Sequence, residues 1–179
     1  MTEALHRLSE ILDELVESEE IVAREAARRA RLLAEATTLQ LERHRTEQHG
    51  EAMRSLVAEI GCALRVPEGT IVRQLNDAEV LVRRLPGTLA LLGSGAIGYR
   101  HAQVMVRAVT GLPPEACPAL EAAVLDHALV LTASRFDRVA RQERERRHPE
   151  SLDVRARAAT AERSVTIEAA PDGMAWLTC

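Results

Sequence analysis

Apolar residues recur every three or four positions along most of this chain, which is the period of an amphipathic α-helix. Neither Pro nor Gly occurs before Gly50, so the pattern predicts helix from residue 3 to residue 48, with an end or a kink at Gly50. A one-sided leucine stripe opens this arm, which is either a long helix with a solvated charged face or a segment that pairs with another chain. The stripe consists of Leu5, Leu8, Leu12 and Leu15.

Two helices joined by a tight corner are predicted within residues 52–85. Pro67 disfavours helical geometry at Val66 but suits the first turn of a new helix, where no backbone N–H is needed. Apolar residues then continue at steps of three and four from Ile71 to Leu85. This arrangement is typical of a helix-turn-helix unit, whose second helix can enter the major groove of DNA.

Several side chains of this unit have the chemistry of DNA contacts. Arginine and glutamine can hydrogen-bond base edges, and threonine can reach phosphate. However, Glu68 and Asp77 on the same helix repel phosphate, so a purely structural corner is the competing interpretation. The candidate DNA-binding residues are Arg65, Thr70, Arg73, Gln74, Arg83 and Arg84.

Breaks in the apolar pattern predict further helices up to residue 162. Pro86 ends the preceding helix near Leu85. The sequence from Gly93 to Gly95 indicates a helix C-cap and a turn, since the Gly-Lys-Ser/Thr ending of a phosphate loop is missing. A helix is predicted from about Tyr99 to Val109. Three more are predicted after the break that ends at Pro114, and the last of them is a charged helix over residues 151–161.

Near the end of the chain the period changes to two. Residues 163–168 alternate between polar and β-branched apolar side chains, which predicts a strand. Ala170 to Gly173 is a turn signal, and residues 174–177 suit a return strand. The predicted fold is therefore mainly α: a multi-helix domain with a long N-terminal helical arm and a C-terminal β-hairpin. The predicted boundaries are 1–48 for the arm, 49–162 for the helical domain and 163–179 for the hairpin.

Composition narrows the classes of function. Of the 179 residues 46% are hydrophobic but only 2% are aromatic, so the core must consist of aliphatic side chains. The net charge is −4, so any contact with DNA must come from a local basic patch. The three cysteines are far apart, which disfavours a zinc site or a disulfide framework. No signal peptide or membrane-spanning stretch is recognised, and we expect a cytoplasmic protein without membrane partners.

The order of motifs in the second half of the chain resembles one family. The motifs include LPGTLALL from Leu85, GSGAIGYRHA from Gly93, LTASRFDRVAR from Leu131 and PDGMAWL from Pro171. They resemble the actinobacterial domain of unknown function that precedes HNH endonuclease motifs in the mycobacterial repeat-family proteins. The resemblance covers roughly Glu47 to Cys179.

The resemblance implies a role beside a nuclease. An HNH motif activates water with a His and holds a divalent metal, but this sequence contains no such constellation, and we predict neither catalytic residues nor a cofactor in this chain. This chain is expected to stop where a member of that family would continue. The expected function is a non-catalytic N-terminal module that positions an HNH-type protein on double-stranded DNA. The alternative is a structural module that forms a homo-oligomer through the N-terminal arm.

Overall fold

A computed structural model describes residues 2–149, 160, 166–169 and 174–178. This part of the chain is mainly α, as predicted. Its helices are α1 (Thr2–Glu42), α2 (His49–Leu64), α3 (Glu68–Arg84), α4 (Pro86–Ser94), α5 (Tyr99–Val109), α6 (Cys117–Ala128) and α7 (Ala133–Arg147). Short 3-10 helices, Thr46–Gln48 and Pro114–Ala116, precede α2 and α6.

Helix α1 has two halves with different surroundings. Every residue from Glu3 to Glu19 is exposed. The second half packs on α3 and α4, because small alanines let the backbones approach closely. The predicted arm and most of the predicted helical domain therefore form one compact unit, Met1–Arg144. The buried residues of α1 are Ala23, Ala27, Ala30, Leu33 and Thr37.

The corner between α2 and α3 lies where the sequence predicts it. Arg65 adopts the left-handed conformation with φ of 55°, and the N–H of Val66 donates to the carbonyl of Gly61 at 2.9 Å. A Cβ on Gly61 would lie 3.1 Å from the Val66 carbonyl oxygen, so the close turn favours glycine here. Pro67 then directly precedes α3. Helix α3 buries one face against the core through Ile71, Leu75, Ala78 and Leu81.

The break between α1 and α2 differs from the prediction. Helix α1 ends at Glu42, and Gly50 lies inside the first turn of α2. The turn is held by histidine side chains instead of a glycine: the ring of His44 bonds the Gln40 carbonyl at 2.8 Å, and the ring of His49 bonds the Leu41 carbonyl at 3.1 Å. These bonds satisfy carbonyls that the end of α1 leaves without helical partners.

The core is aliphatic around one aromatic ring. Phe136 of α7, the only phenylalanine in the chain, is fully buried. It belongs to a cluster with Met105 and Val109 of α5 and Leu120 of α6. The predicted helix Tyr99–Val109 is confirmed with both bounds.

Residues Glu145–Cys179 form a second unit. Within it, β1 (Thr166–Ala169) pairs antiparallel with β2 (Ala175–Thr178), with Ile167 opposite Leu177. The strands overlap the two predicted strand regions. The predicted turn from Ala170 to Gly173 and nearly all of the charged helix predicted over residues 151–161 lie outside the described residues.

Candidate functional site

The outer face of α3 carries part of the predicted DNA-binding set. Arg73 and Arg83 are exposed there. Arg73 donates to the Thr70 hydroxyl at 3.4 Å, and Arg83 lies 3.8 Å from the Glu79 carboxylate. Because Glu68 and Glu79 are also exposed on this helix, its outer face has both signs of charge in similar amount.

The remaining candidates do not share this face. Gln74 points towards α1, where its amide oxygen accepts a hydrogen bond from Arg29 at 2.8 Å. Arg65 lies exposed in the corner before α3, and Arg84 is half-buried in the last turn of the helix. The structure thus brings Arg73, Thr70 and Arg83 along one helix and separates Gln74 from them.

An open apolar groove lies beside Gln74, between α1, α2 and α3. Its volume is about 750 Å³. Sequence patterns could not reveal it, because its three walls come from separate parts of the chain. It is lined by Val22, Glu25, Ala26, Arg28, Arg29, Ala30, Leu32, Leu33 and Ala36 of α1, Ile60, Ala63 and Leu64 of α2, Gln74, Ala78 and Leu81 of α3, and Tyr99.

A polar pair lies at one wall of the groove. The hydroxyl of Tyr99 donates to the Asp77 carboxylate at 3.2 Å. Burial, followed by the charge and the hydrogen bond of Asp77, raises the pKa of Tyr99 to about 12. The phenol therefore stays protonated at neutral pH and keeps its hydrogen bond to Asp77.

The predicted leucine stripe of α1 is exposed. The four leucines of the stripe retain between 52% and 62% of their accessible surface. Leu8 and Leu15 continue at the same seven-residue spacing to Val22, which lines the groove. The stripe and the α1 wall of the groove thus form one continuous seam, and this spacing is a sequence signal for that wall but not for the walls from α2 and α3.

The two halves of α1 carry opposite charge. Residues 3–20 hold seven carboxylates and one arginine, whereas residues 22–36 hold four arginines and two glutamates. Some of these groups pair within the helix, such as Arg24 with Glu20 at 3.2 Å. Asp13, Glu17 and Glu19 have no ion-pair partner among the described residues. This segregation leaves an acidic protruding end and a basic groove wall.

His44, His49 and His101 bond backbone carbonyls and so have structural roles. Nε2 of His101 lies 2.9 Å from the Leu131 carbonyl, which makes it the donor, and the ring lies 5.8 Å from that of Phe136. Within residues 2–149 and the described strand segments, no group of three or more His, Cys, Asp or Glu is placed to hold a metal ion. In the same part of the chain no helix is long and apolar enough to cross a membrane.

Comparison with known proteins identifies the family. The family described as "Domain of unknown function (DUF222)" matches residues 12–179. Searches of curated proteins and of solved structures give no significant match. The match includes the second half of the leucine stripe, the groove and the corner between α2 and α3. With nearly the whole chain matched, this protein belongs to the DUF222 family.

Proposed function

We propose that this chain is a non-catalytic module that assembles copies of a larger, HNH-type endonuclease-like protein. The exposed stripe of α1 carries the proposal. Burying a leucine side chain stabilises by about 1.5–3 kcal/mol, and four leucines of the stripe are left more than half exposed. Contiguous exposed apolar surface is typical of an interaction site.

The link to an HNH nuclease has separate support. It rests on the resemblance of the motifs from Leu85 onwards to the family domain that precedes such nucleases, and membership of DUF222 is compatible with it. The proposal places no metal or cofactor in this chain. Reading the coding sequence after Cys179 tests the link, since a full-length gene without an HNH motif would contradict it.

Assembly is tested by the mass of the chain in solution. Analytical ultracentrifugation should give at least a dimer, and the double variant Leu8→Glu with Leu15→Glu should sediment as a monomer. The matched control is His6→Glu, which lies about 160° around the helix from Leu8 and should keep the dimer. All three positions are exposed, so circular dichroism should be unchanged. A monomeric unaltered chain would reject the assembly role.

Positioning on DNA is the second candidate function. It is favoured by Arg73 and Arg83, whose exposed side chains lie on a face of α3 that no other described helix covers. A gel shift with duplex DNA should weaken in Arg73→Ala and Arg83→Ala and fall steeply with salt. Gln74→Ala should leave it unchanged, because Gln74 faces α1. If no shift occurs even at low salt, DNA positioning by this chain is ruled out.

A further inference from the structure

We infer that two copies of this chain pair antiparallel through α1, with the protruding leucine stripe of each copy lying in the groove of the other. The inference rests on the assembly role proposed above and specifies its partner, a second copy, and its geometry. It makes the groove and the stripe two halves of one self-complementary surface, as a two-fold symmetric dimer requires.

Heptad spacing along α1 supports the pairing. Leu8, Leu15, Val22, Arg29 and Ala36 are spaced by seven, and Ile11, Ser18, Glu25 and Leu32 occupy the intervening positions. Six of these nine positions are apolar and suit the contact seam of a coiled coil, whereas Ser18, Glu25 and Arg29 are polar positions within it. Leu5 and Leu12 of the stripe flank this seam. From Val22 onwards every member of the two sets lines the groove, so the seam faces the space that the second helix would fill.

Charge distinguishes antiparallel from parallel pairing. In a parallel pair the two acidic segments, residues 3–20, would lie side by side and repel each other. In an antiparallel pair each acidic segment lies along the basic segment, residues 22–36, of the second copy. Opposite charges then meet over the length of the contact, which fixes orientation and register.

The register follows from the same heptads. With the two-fold axis near residue 20, Leu8 faces Leu32 of the second copy across the seam. The flanking positions then pair Glu14 with Arg28 of the second copy, and Arg7 with Glu35 of the second copy. Both flanking pairs join opposite charges, as expected of interhelical salt bridges beside a seam.

Helix α2 provides a further apolar contact surface for the α1 helix of the second copy. Ile60 and Leu64 of α2 form the wall opposite α1, and Leu64 is 48% exposed. A second helix lying on α1 therefore contacts α2 as well, and the apolar surface removed from water is larger than that of two isolated helices. Symmetry doubles each of these contacts.

Disulfide trapping between chains that each carry one exposed cysteine, with Cys117 left buried in the core, tests the geometry. In a background with Cys62→Ser and Cys179→Ser, chains with Leu8→Cys and with Leu32→Cys are oxidised separately and after mixing. We expect a disulfide-linked dimer only in the mixture. In the proposed pairing, position 8 of one copy faces position 32 of the second copy, and neither position faces its own equivalent. The matched control mixes Ser9→Cys with Leu32→Cys and should give at least tenfold less linked dimer.

The outcomes separate this inference from the assembly role. If each chain links to itself and the mixture adds nothing, the helices are parallel, and only the inference fails. A dimer by ultracentrifugation without any linkage through residue 8 or 32 also overturns the inference and leaves assembly intact. A monomeric chain contradicts both.

Discussion

Glu121 of α6 accepts two hydrogen bonds from Thr88 of α4, one from the backbone N–H and one from the hydroxyl, both at 2.7 Å. Its second oxygen accepts from the N–H of Gly87 at 3.3 Å. Glu121 is only 5% exposed, and burial of an unpaired charge would be costly. Here the first turn of α4 supplies the donors and the positive end of a helix dipole.

Removing this carboxylate should destabilise the fold. Glu121→Ala leaves buried donors without an acceptor and creates a cavity, and we expect a loss of about 2–4 kcal/mol in the free energy of unfolding. Glu121→Gln should cost less, since its amide keeps one acceptor. Urea unfolding followed by circular dichroism measures both. The exposed Glu115→Ala is the control and should change the free energy by less than about 0.5 kcal/mol.

Gly95 ends α4 in a conformation that other residues rarely adopt. Its φ is 86°, and a Cβ there would lie 3.0 Å from Cβ of Glu20 on α1. Gly95→Ala combines backbone strain with a clash and should destabilise by about 1–3 kcal/mol. Gly69→Ala is the opposite case, since nothing lies within 4 Å of its Cβ. In a helix that exchange should be neutral or stabilise by up to about 1 kcal/mol; equal losses in the two variants would refute the close approach of α1 at Gly95.

Tyr99 should make stability depend on pH in the alkaline range. Its pKa rises from 10.0 to about 12 on folding, so its stabilising contribution is complete below pH 10 and is lost as pH rises towards 12. Tyr99 is the only tyrosine in the chain, and the ultraviolet absorbance of phenolate therefore reports it alone. Unfolding in urea should return the midpoint to about 10. Asp77→Asn should lower the folded midpoint, and an unchanged midpoint would exclude Asp77 as a cause.

Local patterns were sufficient for much of the helical order. The bounds of α5, the stop at Pro86 and the left-handed turn at Gly95 all depend on residues within a few positions of one another. The end of α1 was misplaced because His44 and His49 act there as caps, which has no simple pattern in sequence. The groove, and the burial of Glu121 against Thr88, depend on helices far apart in the chain. No local period encodes such contacts.

The candidate DNA-binding residues also depend on contacts that local sequence patterns do not encode. Spacing alone placed Gln74 beside Arg73 in a DNA-reading set, but adjacent positions on a helix point about 100° apart. The packing of α1 decides which of the two faces outward, and it makes Gln74 a partner of Arg29.

The described cysteines should differ in reactivity. Cys62 is exposed, whereas Cys117 is fully buried and burial raises the pKa of its thiol. Since the thiolate is the reactive form, iodoacetamide should modify Cys62 well before Cys117 in the folded chain. Peptide mass spectrometry after timed quenching measures both sites. In urea the two rates should converge, and equally fast modification of Cys117 in the folded chain would contradict its burial.

Charge reversal at one flanking pair of the proposed dimer should reveal its register. Glu14→Arg and Arg28→Glu should each weaken dimerisation, by about 3- to 10-fold in Kd, because each places like charges opposite one another. Combining them in one chain should restore most of the affinity, since the pair is then reversed in sign. Within one copy Glu14 pairs with Arg7 at 3.3 Å and Arg28 with Glu25 at 3.4 Å, but these exposed pairs contribute little to folding.

The control for this reversal is Asp13→Arg. It changes the net charge of the acidic segment by the same amount, but Asp13 occupies the heptad position farthest from the seam. Its Kd, measured by sedimentation at several salt concentrations, should stay within about twofold of the unaltered chain. If Asp13→Arg weakens the dimer as much as Glu14→Arg, the effect is one of overall charge, and the pairing of Glu14 with Arg28 is not supported. If the combined variant is weaker than either single variant, the proposed register is wrong.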